Sequence, residues 1–393
     1  MKRTIFRLVL ISVVLALMLP VALNIPTSLA TNSDFQVLYY TDQGFTRGID
    51  VYNHEDKIRM ISEENGNSPE DVTIPQFAYP PWLSLSTFYL GYLPINAAAT
   101  LWFEINLLLL FLSVWFLTAA WSLRRRLLAF PAVLVFAPVL GTLAIGQYDF
   151  PVLLGTSLLI YAIKKENAIL SAIGMSLLTF KPHIGVLILL ASLIHLVWRR
   201  DAFGRRAIAF AFVAGIVLFL IGFLADASWP IHYLDSLLNY RKLGHINTCS
   251  ECVSIAIWLT RLTTGQSSLV LASEISGVLL GGILIALALI RPPLWESPNL
   301  FLAASLLATF IASPYLYNYD FSLLIVPIFL LAERASSRFE WFWLAASYFF
   351  PEIAFLLYGR QGNYSLIFSV LVLALLTYLR ARQPHIDVSP TGV

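Results

Sequence analysis

The sequence predicts an all-α polytopic membrane protein with about 12 transmembrane helices, and three observations carry that reading. First, 58% of the 393 residues are apolar and only 12% are charged, where soluble domains run near 45–50% and about 25%. Second, apolar stretches of about 20 residues recur along the whole chain. Third, lysine and arginine divide unequally between alternate loops, as they do around membrane helices. A soluble domain of this length would expose more surface than so few charges could cover. Disorder needs low hydrophobicity and high charge, the opposite of this composition. A net charge of +2 argues against a nucleic-acid binder. Two cysteines are too few for a disulfide scaffold.

The predicted spans are 5–25, 95–121, 127–144, 150–163, 167–181, 184–198, 205–225, 267–290, 298–312, 320–333, 340–357 and 362–380. Several hold only 14 or 15 residues, so the count carries a margin of two. Residues 1–30 also fit a cleavable signal peptide, with Lys2 and Arg3, an apolar run and Ser28-Leu29-Ala30; the run from Ile5 to Leu23 is longer than a usual signal core and favours an uncleaved first helix. Residues 80–93 are apolar but open on Pro80-Pro81, which suits an interfacial or re-entrant helix. With the N-terminus inside, 17 lysines and arginines lie on the cytoplasmic side and eight on the other, so both termini are expected in the cytoplasm of a plasma-membrane protein. The outer side then carries two large loops, 25–94 and 226–266. Residues 1–380 read as one membrane domain and 381–393 as a disordered cytoplasmic tail.

Polar groups beside membrane spans are costly and draw attention to function. Five clusters stand out. Asp34 follows the first span, ahead of Phe35, Leu38, Tyr39 and Phe45 at helical spacing, which suggests an amphipathic helix on the membrane surface. Asp34 is then either a helix N-cap or a general base. Tyr79-Pro80-Pro81-Trp82 fixes the backbone with two interface aromatics. Gly146-Gln147-Tyr148-Asp149 fills a tight outer turn, where Gly146 suits a turn and the other polar residues are harder to account for. Lys181-Pro182-His183 puts a cation at an outer helix end, either snorkelling to headgroups or binding a phosphate. Finally, Ser313-Pro314-Tyr315-Leu316-Tyr317-Asn318-Tyr319-Asp320 places three tyrosines and an aspartate at one helix end. Asp320 is either an N-cap or a group that orients a cation. All five clusters fall on one membrane face under an orientation chosen from lysine and arginine alone, which predicts a single outward-facing polar cavity.

The clusters, in this order, resemble glycosyltransferase family 87, whose C-type (GT-C-like) members are multi-pass enzymes using polyprenyl-phosphate sugars. The matching residues are Asp34-Phe35 with Tyr39-Tyr40, Asp50 and Tyr52, then Tyr79-Pro80-Pro81, Gly146-Gln147-Tyr148, Lys181-Pro182, and Ser313-Pro314-Tyr315 with Tyr319-Asp320. The resemblance covers residues 34–333; the last two spans add nothing to it. It implies an inverting transfer of a sugar, often mannose, from the lipid-linked donor to an acceptor hydroxyl on a lipid or glycan. Asp34 is the implied base and Lys181 the implied partner of the donor phosphate. Tyr79, Gln147, Asp149, His183, Arg261, Tyr315, Tyr317 and Asp320 complete the expected substrate-binding set. Some family members carry a histidine in the late Ser-Pro segment, where Tyr315 or Tyr317 stands here; either a tyrosine takes over its part or His183 or His245 does.

The chemistry suits these residue types. A sugar hydroxyl attacks well only if a base accepts its proton. A phosphate departs well if fixed donors or cations meet its charge, and the outward cations are Lys181, Arg241, Lys242 and Arg261. No cofactor is expected. The chain has no Asp-x-Asp, which argues against a metal-bound nucleotide sugar. Cys249 and Cys252 with His245 offer three zinc ligands where a structural site takes four, so a local disulfide or two free thiols is favoured. The acid-rich stretch from Glu63 to Glu70 reads as a solvated loop. A multi-pass transporter or lipid flippase is the alternative, and it predicts internal repeats and interrupted helices at midplane. No repeat is present, and the polar residues sit at the outer edge, apart from Glu104 in mid-span.

Overall fold

The computed structural model describes Leu29, residues 34–243, Cys249, and residues 251–289, 297–314 and 316–382. The expected first span, His245, Tyr315 and the tail from 383 lie outside them. Among the described residues the fold is all-helical, with no strand.

An outer layer comes first. It holds α1 (Phe35–Thr46), α2 (His54–Asn65), α3 (Pro81–Thr87) and a 3₁₀ turn over Phe88–Tyr92. The Asn53 side chain caps α2 by accepting the Asp56 N–H, and Gly66 ends it at φ 68°. The helix therefore takes in Glu63 and Glu64, so the loop is shorter than expected, while residues 63–70 are all exposed as a solvated stretch would be. Helix α1 forms where its apolar spacing predicts, but it does not lie open on a surface. Thr41, Asp42 and Gln43 are buried along with Phe35 and Leu38. The cause is a polar partner face: the Ser84 hydroxyl of α3 donates to Asp42 at 2.5 Å. Lys57 of α2 donates to the Thr41 hydroxyl at 3.1 Å and the Val51 carbonyl at 3.0 Å. Burial pulls the Lys57 ammonium down to about 7 and pushes the Asp42 carboxyl up. Gly91 crosses α1 so closely that a Cβ there would stand 2.5 Å from the Asp42 backbone.

The helical body follows: α4 (Ile95–Leu117), α5 (Leu123–Leu134), α6 (Ala137–Ile145), α7 (Asp149–Lys165), α8 (Ala168–Leu178), α9 (Pro182–Arg199) and α10 (Ala202–Ile221). Then come α11 (Trp229–Leu243), α12 (Ile255–Thr264), α13 (Leu269–Leu289), α14 (Pro298–Ala312), a 3₁₀ turn over Asn318–Leu324, α15 (Ile325–Arg334), α16 (Arg338–Tyr358), a second 3₁₀ turn over Gly359–Tyr364, and α17 (Ser365–Arg382). Each predicted span from 95 onward falls on helix, that over 127–144 on two, α5 and α6, and that over 320–333 on a 3₁₀ turn and α15. Among the described residues five helices are long and apolar enough to cross a membrane, and six if the bent pair α5–α6 counts as one; the shorter apolar helices there run 10–17 residues.

Two departures bear on the site. The single span predicted over 127–144 is broken, with a bend of 63° between α5 and α6. Pro138, in the first turn of α6, lacks the N–H that would continue the ladder and clashes with the preceding turn. The segment 226–266, read as a loop, carries α11 and α12.

Helix α7 is the centre of the body, buried along most of its length. Gly155 on α7 and Gly174 on α8 let the two backbones meet: a Cβ on Gly155 would stand 2.7 Å from the Gly174 carbonyl. Helix α10 is mostly exposed instead, as a lipid-facing helix would be. Glu104 on α4 is also exposed, so it is not the packed core group it could have been. The C-terminal end of α6, the N-terminal ends of α7 and α9 and the 3₁₀ turn over Asn318–Leu324 meet beside the start of α1.

Candidate active site

The site begins with Gly146. Helix α6 ends there in a left-handed turn at φ 68°. A Cβ would come within 2.8 Å of Phe35, so only glycine lets α6 abut α1. The Trp102 indole of α4 donates to the Gly146 carbonyl at 2.8 Å and fixes the turn. The next residue, Gln147, then points its amide at Asp34, with Nε2 donating to the Asp34 carboxylate. The Tyr148 hydroxyl donates to the Asp34 backbone carbonyl at 3.1 Å.

Asp34 occupies the N-cap position of α1, yet its side chain makes no capping hydrogen bond. Its carboxylate faces inward, where the Tyr319 hydroxyl also reaches it at 3.5 Å. Burial pushes the Asp34 carboxyl above the usual carboxylate range, against the Gln147 hydrogen bond and the Lys181 charge.

Lys181 lies beneath, with 1% of its surface exposed. It precedes Pro182, which opens α9. Its ammonium donates to Asp320 at 2.6 Å, Asp149 at 2.9 Å and Gln147 Oε1 at 3.3 Å. An ammonium has three protons, and three acceptors take them. In this geometry the ammonium serves those three acceptors, and two carboxylates balance its charge. The contact to Gln147 has a consequence of its own. With Oε1 held by a cation, the amide nitrogen can only face Asp34, so Lys181 sets the polarity of the group that holds the base.

Asp320 orients a cation, but it is not the N-cap: that position belongs to Tyr317, and Asp320 stands at the third position of the turn. One oxygen meets Lys181 and the other accepts the Tyr317 N–H at 2.7 Å. Tyr317 stacks on Tyr319 with ring centroids 5.2 Å apart, and the Lys181 ammonium lies 4.9 Å from the Tyr319 ring centroid. Tyr79 packs edge-on against Tyr148 at 4.7 Å, and the Tyr52 hydroxyl donates to the Tyr79 carbonyl at 2.8 Å. Asp34, Gln147, Asp149, Lys181, Tyr317 and Asp320 thus form one connected group, with Tyr79 on its rim. His183 lies on the first turn of α9, partly buried. Arg261 on α12 meets the Tyr364 hydroxyl and the Cys249 carbonyl, in a second group around the Cys249–Cys252 disulfide. That disulfide is one of the two states left open by the sequence.

The hydroxyls of Tyr148 and Tyr319 were in quoted motifs without an assigned task; a tyrosine beside a buried acid was the available signal. Trp102 gave no signal. Among the described residues no group of three or more His, Cys, Asp or Glu is placed to hold a metal ion.

A family model described as Glycosyltransferase family 87 matches residues 77–314, more than half of the chain. The matched residues include Tyr79, Gln147, Asp149, Lys181, His183 and Arg261, and leave out Asp34, Tyr317 and Asp320. No curated protein matches the chain.

Proposed function

Because the chain belongs to glycosyltransferase family 87, a family of membrane glycosyltransferases, we propose that it transfers a sugar, mannose in this reading, from a polyprenyl-phosphate donor to a hydroxyl of a lipid or glycan acceptor at the outer face of the plasma membrane. In this reading the fold is a GT-C-like membrane domain over residues 1–380, with about 12 spans and both termini in the cytoplasm.

The observation that carries the reaction is the state of Asp34. A carboxylate at a helix N-cap normally satisfies the first turn. This one leaves that task and is gripped by Gln147 and Tyr319 instead. Its raised proton affinity suits a base. The acceptor oxygen attacks the anomeric carbon while Asp34 takes its proton. The bond from that carbon to the phosphate oxygen breaks, and the polyprenyl phosphate leaves with the electron pair. One displacement inverts the anomeric centre. Lys181 positions Gln147 in this scheme. Arg261 supplies the cation for the donor phosphate, and His183, Tyr79 and Tyr317 line the substrates.

The α5–α6 break is the feature a transporter would use. Its first N–H is taken by a side chain of α16, and the polar residues gather at the helix ends rather than at the break.

The test is a transfer assay on purified protein in lipid. It offers labelled polyprenyl-phosphate mannose, glucose and arabinose with a membrane lipid extract, to wild type and Asp34→Asn in parallel. Product from wild type alone supports the reading; product from both removes Asp34 as the base. No product with any donor moves the reading to a transporter, which a flipping assay in the same vesicles then examines.

A further inference from the structure

The hairpin α16–α17 lies beyond the matched residues 77–314 and carries none of the motifs. Two of its polar side chains nevertheless meet the backbone behind the site. The first is Glu352, within the apolar helix α16. A carboxylate there is costly without a partner. Its partner is the Ala137 N–H, which donates to it at 2.6 Å. Ala137 opens α6 at the break, where helix-starting N–H groups have no partner in their own helix and negative charge is favoured. From that anchor α6 runs nine residues and delivers Gly146 and Gln147 to Asp34. On its flank the Thr142 hydroxyl donates to the Tyr319 carbonyl at 3.1 Å. The point at which Glu352 pins α6 therefore sets where the Gln147 amide ends.

The second is Tyr364, the last residue of the turn before α17. Its hydroxyl donates to the Cys252 carbonyl at 3.2 Å and accepts from Arg261. Just past the disulfide, the Val253 N–H donates to the Leu316 carbonyl at 2.6 Å and the Ser254 hydroxyl to the Pro314 carbonyl at 3.0 Å. Pro314 and Leu316 lead directly into Tyr317, Tyr319 and Asp320. Tyr364 thus holds the strap that holds this turn. The seam between the hairpin and the site is not closed by packing: a small cavity remains among Ala137, Pro138, Asn318, Pro351, Asn363 and Leu366. Beside that gap Phe136 stacks on Tyr348 with ring centroids 5.2 Å apart, and at the gap itself the hydrogen bond to Glu352 fixes the register.

We propose that the α16–α17 hairpin clamps the site from behind, with Glu352 and Tyr364 as positioning residues that hold Gln147 and the Tyr319–Asp320 turn around Asp34. This rests on the transferase reading.

The experiment uses the full chain in lipid nanodiscs, as wild type, Glu352→Leu, Glu352→Gln and Tyr364→Phe. Backbone hydrogen exchange needs no substrate, and it is read at 136–148 and 313–320. Glu352→Leu raises exchange in the first segment and Tyr364→Phe in the second. Transfer kinetics on the same samples show kcat per folded molecule falling roughly tenfold to a hundredfold, as misplacement of a reacting group does, while donor KM moves by less than about twofold. Glu352→Gln keeps an acceptor for the Ala137 N–H and restores both protection and rate. A role confined to stability would lower the unfolding temperature and leave kcat per folded molecule alone. Unchanged exchange in both segments, or raised exchange with unchanged kcat, overturns the proposal. If wild type transfers no sugar, the transferase reading fails on its own and exchange still decides whether the clamp exists.

Discussion

Replacing Lys181 by methionine separates two accounts of that residue. Methionine keeps most of the volume and removes the charge and all three protons. Asp149 and Asp320 are then left facing each other, at 0% and 1% exposure, and one oxygen of Asp149 already has no partner. Breaking a buried ion pair from one side costs about 3–5 kcal/mol, because a buried charge is left uncompensated. The unfolding midpoint in detergent should drop by roughly 5–10 °C. The triple variant Lys181→Met, Asp149→Asn, Asp320→Asn removes all the charges together. Neutralising a whole buried group is often without cost, so this variant should recover most of the midpoint. It should not recover transfer, since the Lys181 contact that fixes which end of the Gln147 amide faces Asp34 is gone and a long hydrogen bond from the Tyr148 N–H, at 3.4 Å, remains. A donor-binding lysine behaves differently: its loss would raise donor KM in a salt-dependent way and leave the midpoint alone. A single variant that unfolds like wild type, with only donor KM raised, refutes the reasoning from geometry.

Asp34→Asn should lower transfer by about 10²–10⁴-fold, the usual span for a positioned base, while donor binding by equilibrium titration stays unchanged; a smaller loss would deprive Asp34 of that task. The pH dependence has two opposed parts. The rate needs ionised Asp34, so it falls as pH drops through a proton affinity that burial has raised above the carboxylate norm. Stability runs the other way: the contribution of a carboxyl whose folded affinity is raised is fully present below its unfolded value of about 3.9 and is lost as pH rises through the folded one. Denaturation and rate profiles of wild type and Asp34→Asn check both, and parallel profiles would contradict the assignment. Gly146→Ala should cost about 1–3 kcal/mol, since alanine must hold a positive φ and its methyl would press on Phe35. A wild-type midpoint for that variant would show that α1 can retreat from the turn.

Composition and apolar periodicity were enough to locate the helices from residue 95 onward other than α11 and α12, because each must carry an apolar face whatever it packs against. The α5–α6 break was weakly signalled: Pro138 was visible, but prolines also sit inside spans, as Pro131 and Pro351 do here. The site residues could be read because ionisable groups are rare in this chain and cluster at one set of helix ends. Their partnerships could not. Lys181 reads as a snorkelling cation or a phosphate ligand, and nothing local shows that two aspartates, 32 residues before it and 139 after it, share its protons. The burial of Asp42 and Lys57 leaves no sign in the sequence, because nothing local shows that α3 and α2 close over α1. Glu352 and Tyr364 act through backbone groups of distant residues, and such a contact leaves no pattern in either segment.

Two features bear on which side of the membrane holds the site, and they rest on different physics. One is the excess of lysine and arginine in alternate loops, which reflects how helices are inserted. The other is the disulfide between Cys249 and Cys252, which persists in oxidising compartments and rarely in the cytosol. The charge count puts loop 226–266 outside, and the disulfide lies in that loop. They can be tested together without altering the chain, since it contains two cysteines and both are in the bond. Intact cells are treated with a membrane-impermeant phosphine reductant and then an impermeant maleimide. Label on the unmodified protein before the cells are opened is the expected result, and the Cys249→Ser/Cys252→Ser variant should take none. Label appearing only after the cells are opened would turn the topology over. Asp34 and its neighbours would then face the cytoplasm, and the donor would have to be reached from the inner leaflet.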